Sequence, residues 1–296
     1  MSKAIIFDTE TTGLKEEDKI IQVGAIVLDS TNKDHIEVYD ELCSCELPIK
    51  IEAMSVHGIR EEQLIGKPNF IDTDFFKTLN DLNSEKNYLI AHNLDFDLGM
   101  LEKYDFQNQF SLIDTYQCAK HLFEIGDEVG NYKIPNHKLQ TFRYILLTEA
   151  EEEAEAKKYG VQIKAHDAIG DVVILKLFYQ KLVKKLGEKL KTKKYHDILN
   201  ELVRLTKEPA EVKVISFGQY AGTKISDIEK ITDPNKWGKP AGPSYIDWLF
   251  GEQKKQKDSN DSKFNKDLYF TLDKIIKSRS NISGSNDFNT NDGLQF

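Results

Sequence analysis

Two carboxylates one residue apart close the apolar run Ile5-Ile6-Phe7-Asp8-Thr9-Glu10-Thr11-Thr12-Gly13. Strand side chains alternate faces, so Asp8 and Glu10 should project from the same side of a strand end. Gly13 stands where the chain must turn. Two oxygen donors at the end of a buried strand suit a hard cation such as Mg²⁺ or Mn²⁺. Asp-x-Glu alone is equally compatible with an acidic surface turn, so the rest of the chain has to decide.

A second group follows the strand-like run Tyr88-Leu89-Ile90-Ala91, where His92-Asn93-Leu94-Asp95-Phe96-Asp97 leads into a helical pattern through Leu98, Met100 and Leu101. A third, Ala165-His166-Asp167-Ala168-Ile169-Gly170-Asp171, opens a helix with apolar residues at 172, 175, 178 and 182. His166 and Asp171 are about 1.4 turns apart, so they would reach a common centre from two flanks, not from one helix stripe.

In order and spacing these groups resemble the three motifs of the DEDDh-type 3′–5′ exonucleases, a branch of the ribonuclease-H-like superfamily. The resemblance assigns Asp8 and Glu10 to the first motif, Asp97 to the second, and His166 and Asp171 to the third. It implies that Asp8, Glu10, Asp97 and Asp171 hold two divalent cations, Mg²⁺ or Mn²⁺, and that His166 is the general base. The Phe-Asp pattern selects Asp97 over Asp95. Asp167 reads as a first-turn helix acid. Glu52-Ala53-Met54-Ser55-Val56-His57-Gly58-Ile59 resembles the family segment whose Glu and His line the pocket of the terminal nucleotide. Glu52 and His57, with Thr11 and Asn93, are therefore the expected nucleotide contacts. Asp114 is as readily a helix cap as a functional acid.

The chemistry asks for these residue types. Phosphodiester hydrolysis needs a hydroxide and a stabilised leaving oxygen, and two metals about 3.5–4 Å apart can serve both. Four crowded carboxylates repel one another without metal. A histidine titrating near neutrality can take the proton of the attacking water.

The chain has 296 residues and a net charge of −9. Residues 1–185 carry −12 and residues 186–296 carry +3, and several of the N-terminal acids are the expected ligands. Seven lysines lie between Lys181 and Lys194; they read first as a solvated helix face and second as a phosphate contact. The acidic stretch Glu149–Glu155 reads as solvated surface. Three cysteines at 43, 45 and 118, without C-x₂-C spacing, indicate neither a zinc site nor a disulfide framework. With no signal-like segment ahead of the first strand and no long apolar run, a cytoplasmic protein with no membrane contact is expected.

Strands are expected at 3–9, 20–29 and 35–42. Alternating helices and strands follow: a helical region at 70–83, strand 87–92, helix 97–104, strand 111–114, and helices at 115–123, 138–146, 166–186 and 190–206. Strands first, then alternation, indicates an α/β layered domain. The resemblance implies a mixed five-stranded sheet with helices on both sides. The expected organisation is a catalytic domain at 1–186, a helical linker at 187–212 with a boundary at Glu208-Pro209, a C-terminal module at 213–278 and a disordered tail at 279–296.

The module contains Phe217-Gly218-Gln219-Tyr220-Ala221-Gly222 and Tyr245-Ile246-Asp247-Trp248-Leu249-Phe250. It resembles the small α+β C-terminal region of the exodeoxyribonuclease X family, although residues 235–242 look inserted and basic residues are missing at 219 and 221. Phe217, Tyr220, Tyr245 and Trp248 are expected to form its core. The expected function is metal-dependent 3′–5′ exonuclease action on DNA, on single strands or 3′ ends, in repair. The alternatives are a polymerase proofreading subunit, an exoribonuclease, or a non-catalytic nucleic-acid adaptor. The module is also the expected place for any protein partner.

Overall fold

The computed structural model describes residues 2–32, 35–164, 166–234, 238 and 241–284. The chain divides into two compact units, Met1–Glu208 and Pro209–Phe296.

The first unit is built on strands β1 (Lys3–Thr11), β2 (Ile20–Asp29), β3 (Glu37–Leu42), β4 (Tyr88–Ala91) and β5 (Ser111–Asp114). Their order is β3-β2-β1-β4-β5. β1 pairs antiparallel with β2 and parallel with β4. This is the mixed, ribonuclease-H-like sheet. The alternation of β1 divides its side chains between two cores: Ile6 faces one, Ile5 and Phe7 the other.

Helices α1 (Ile51–His57), α2 (Glu61–Leu64) and α3 (Asp74–Asp81) follow β3, α4 (Leu94–Glu102) follows β4, and α5 (Thr115–Leu122) follows β5. A short hairpin at 128–133 precedes α6 (Leu139–Leu146), α7 (Glu149–Tyr159), α8 (Ala168–Leu190) and α9 (Tyr195–Lys207). The sequence expectation omits α1 and α2. Neither shows an apolar stripe: α1 has no buried residue and α2 only Leu64.

α8 is the central helix, and every residue from Ala168 to Tyr179 is buried. Its first turn lies directly on β2. A Cβ at Gly24 would stand 2.4 Å from the Ala168 carbonyl carbon and the Ile169 nitrogen. Gly24→Ala should therefore displace the start of α8, at an overpacking cost of about 1–3 kcal/mol or more. A melting curve and a hydrolysis assay check this: the variant should lose activity out of proportion to its loss of stability, because the displaced turn carries Asp171.

Residues 187–208 are not a linker. Ile198, Leu199, Leu202 and Leu205 of α9 belong to the same core as α8, and Thr206 Oγ1 accepts a 2.9 Å bond from the Asp114 backbone N–H on β5.

The second unit is mainly helical from Ile225 on, with α10 (Ile225–Ile228), α11 (Ala241–Asp258) and α12 (Lys266–Gly284), and an antiparallel bridge joins Val214 to Lys224. Its core consists of Ile215, Ile225, Ile228, Ile246, Leu249, Leu268 and Leu272. This corrects the expectation of an aromatic core. Phe217 and Trp248 are 44% and 57% exposed, while Tyr220 and Tyr245 pack edge to face at its margin. The apolar i, i+3 spacing of Ile246 and Leu249 turns α11 inward on that side and leaves Trp248 out. The expected tail begins too early: α12 runs to Gly284, and Arg279 bonds to Glu229 and Asp247. Residues 285–296, and most of the apparent insertion at 235–242, lie outside the described residues. None of the described helices is long and apolar enough to cross a membrane.

Candidate active site

The exit of β1 delivers Asp8 and Glu10 to one face, and the first turn of α8 brings Asp171 to meet them. One carboxylate oxygen from each of the three lies within 4.8 Å of the others. Asp97, in the first turn of α4, is 3% exposed and accepts a 2.7 Å bond from Thr9 Oγ1. Asp95, two residues earlier, is exposed. The structure thus turns Asp97 inward and Asp95 outward.

Burial and mutual repulsion hold these acids far above the ordinary carboxylate range. Asp8 is raised well above it, by burial first and then by the charges of Asp97, Glu10 and Asp171. Glu10 is pushed up to about 8 by burial and by Asp171, Asp97 and Asp167. Asp97 reaches about 7, mainly through burial, against the lowering effect of the Thr9 bond. Asp171 reaches about 6 through burial, with His166 and Arg143 pulling it down. Such a set is short of positive charge. Hard oxygen donors at this spacing fit a divalent cation, which would supply that charge.

His166 lies just ahead of Asp167, which holds the N-terminal cap position of α8. It is exposed, with φ at 58°. A non-glycine residue in the left-handed region costs about 1–2 kcal/mol. Asp167 makes no capping bond. Its carboxylate instead accepts a 3.0 Å bond from Gln22 Nε2, tying the loop to β2. Asp114 is a cap: its Oδ1 accepts from the Tyr116 N–H at 2.8 Å and the Asn93 N–H at 3.0 Å.

Beside the acids opens a cavity of about 440 Å³, lined among others by Glu10, Thr11, Glu52, His57 and Phe96. Glu10 therefore faces both the acid cluster and the cavity. Thr11, Glu52 and His57, three of the expected nucleotide contacts, line it together. Asn93 does not line this cavity; it is exposed at the start of α4 with φ at 72°. His57 Nδ1 accepts a 2.9 Å bond from the Ile59 N–H, which places the proton of the neutral ring on Nε2. Burial lowers the His57 pKa, opposed by a bond with the Thr11 backbone.

Several lining residues were missed from sequence: Leu14, Lys15, Lys50, Val56 and Phe96. Leu14 and Val56 are 84% and 54% exposed, and large apolar residues at turn and helix positions with no buried partner are the signal that could have found them. The two walls of the cavity are held together by Asp18, which is 2% exposed. Its carboxylate accepts from Thr12 Oγ1 at 3.0 Å, the Lys15 N–H at 2.7 Å and Lys50 Nζ at 2.5 Å. Burial raises its pKa, but these bonds together outweigh burial and keep it below the usual range.

A ribonuclease-H-like sheet with a half-buried acid cluster at the end of its first strand fits a nuclease. A family profile for exonucleases matches residues 5–179, and the chain belongs to that family. Similar curated proteins include the DNA polymerase III subunit epsilon of Treponema pallidum (strain Nichols), 32% identical over 144 residues that cover 45% of this chain and 62% of that protein. The PolC-type DNA polymerase III of Bacillus subtilis (strain 168) is 26% identical over 204 residues, 67% of this chain and 12% of that one. The chain thus spans less than two thirds of the length of these relatives. Among solved structures, exonuclease X in complex with 5′-overhanging duplex DNA is 20% identical with a TM-score of 0.42, covering 67% of this chain and 99% of that one. E. coli exonuclease I with a dT13 oligonucleotide is 20% identical with a TM-score of 0.45, covering 64% and 42%.

Proposed function

We propose that this exonuclease removes nucleoside monophosphates from the 3′ end of DNA with two Mg²⁺ or Mn²⁺ ions. The observation that carries the reading is the shared position of Glu10, which belongs both to the acid cluster and to the wall of the adjoining cavity. A cavity that receives one terminal nucleotide beside the cluster places the first phosphodiester at the reacting centre. Bound cations would polarise the scissile phosphate and acidify a water.

The chain's own residues do the rest. Asp8, Glu10, Asp97 and Asp171 would hold the cations. Phe96 and Val56 offer apolar surface to a base or sugar, and Glu52 offers a polar contact to the terminal sugar, with His57 beside it on the cavity wall. His166, exposed beside Asp171, takes the proton of the attacking water and passes it to solvent. A role in repair is favoured over proofreading by the second unit, whose Phe-Gly-x-Tyr and Tyr-x-x-Trp-Leu-Phe segments resemble those of the exodeoxyribonuclease X family. Polymerase association is the second reading, favoured by the likeness of part of the chain to an epsilon subunit.

The test uses purified protein with Mg²⁺ on linear single-stranded DNA labelled at either end, linear RNA and circular single-stranded DNA. The expected result is mononucleotide release from the 3′ terminus of linear DNA and no cutting of the circle. Efficient cleavage of the circle, or release from the 5′ end first, would overturn it.

A further inference from the structure

The acidic stretch read from sequence as solvated surface is the helix α7, and it turns Glu152 and Glu155 inward. Glu151 pairs with Lys181 at 2.5 Å and Glu155 with the buried Lys176. Glu152 is the informative one. Arg143 Nε and Nη2 donate to its carboxylate at 3.0 and 2.6 Å, and the two side chains are 14% and 15% exposed. Arg143 extends from α6, one turn beyond Gln140, and its Nη1 lies 3.5 Å from Gln140 Oε1. Gln140 Nε2 donates to Asp171 Oδ1 at 2.6 Å. A continuous line of polar contacts therefore runs from α7 through α6 to an acid of the cluster.

We infer that Gln140 is a positioning residue for Asp171, anchored by the Arg143–Glu152 ion pair, so that α7 sets the metal geometry. The inference rests on the reading of Asp171 as a metal ligand. An amide N–H on Oδ1 fixes the rotation of the carboxylate that meets Asp8 and Glu10. It does so without adding a full positive charge that would compete with a cation. The bidentate pair, shielded from solvent, limits the swing of Arg143, and Arg143 in turn limits that of Gln140. Supporting groups of this kind are worth about 10- to 100-fold in metal affinity.

The test measures Mn²⁺ binding by titration calorimetry on the full chain, with hydrolysis as a second readout. Gln140→Leu should weaken Mn²⁺ binding about 10- to 100-fold and recover much of its activity at saturating Mn²⁺. Gln140→Asn, which keeps an amide but shortens it, should lose affinity in the same direction and serves if the leucine variant does not fold. Glu152→Gln, remote from the cluster, should give a smaller loss of Mn²⁺ affinity of the same sign. A purely structural role for Gln140 would lower the melting temperature and leave Mn²⁺ affinity intact, and that outcome overturns the inference while the metal reading stands. Wild-type protein that binds no Mn²⁺ would overturn the metal reading first and the inference with it.

Discussion

Asp8→Asn should nearly abolish hydrolysis and at the same time make the metal-free protein more stable. The loss of rate should exceed the roughly 100-fold that follows removal of a supporting group, since a ligand itself is lost. The gain in stability follows from crowding. Asp8 is raised by burial and by Asp97, Glu10 and Asp171, so an amide at this position removes a group that the folded state can ionise only at a cost.

The same crowding fixes the pH dependence. Glu10 titrates near 8 and Asp97 near 7 in the folded protein, against about 4 in an unfolded chain. Between these values the folded state holds protons that the unfolded state has released, so the cluster's contribution to stability falls as pH rises. The depressed His92, near 4 in the folded protein, adds an opposite slope only below about pH 6.5, and the lowered Asp18 titrates below the window altogether. Metal-free wild-type protein should therefore lose on the order of 1–3 kcal/mol between pH 6.5 and 8. Asp8→Asn should show a shallower slope, and so should wild type with Mn²⁺. Thermal melts in chelator across that range check both. An apo wild type whose stability is flat from pH 6.5 to 8 would contradict the account.

His166→Ala should lower turnover about 10²–10⁴-fold at neutral pH while leaving Mn²⁺ affinity close to wild type. The rate of the variant should climb with pH as hydroxide replaces the missing base, and added imidazole should restore part of it. The position also makes a structural statement. Its left-handed backbone is a local cost, so His166→Gly should be at least as stable as wild type and no more active than His166→Ala. Unchanged turnover in either variant would remove His166 from the chemistry.

Much of this architecture is legible in the sequence because it rests on local periodicity. β1 and β2 show as apolar runs, and the strand period of two is enough to place Asp8 and Glu10 on one face. α8 shows in the helical spacing of Val172, Leu175, Phe178 and Leu182. What is hidden depends on partners distant in sequence. Gln140 meets Asp171 across 31 positions, and nothing about a glutamine on an amphipathic helix marks it. α1 buries no residue of its own, so its value as a cavity wall is invisible to a search for apolar stripes. Acidic α7 looks solvated because its inward carboxylates are balanced by Arg143 and Lys176 from other elements. Asn93 has the backbone freedom of an asparagine at a helix entry, and its proximity to the second motif suggested a ligand contact that the cavity does not include.

The position of α9 bears on how the protein behaves as a material. The sheet has two open sides, β3 and β5. β3 carries Glu37, Asp40 and Glu41, whose charges discourage a neighbouring strand. β5 has no such residues before Asp114; there α9 packs alongside, and Thr206 occupies an outward-pointing N–H. A fragment ended at residue 186 would keep every acid of the cluster and His166, yet leave this N–H and the apolar side of α8 uncovered. Such a surface templates strand addition between copies. α9 contributes nothing to the reacting centre directly; what it secures is the covering of this edge and of the apolar side of α8.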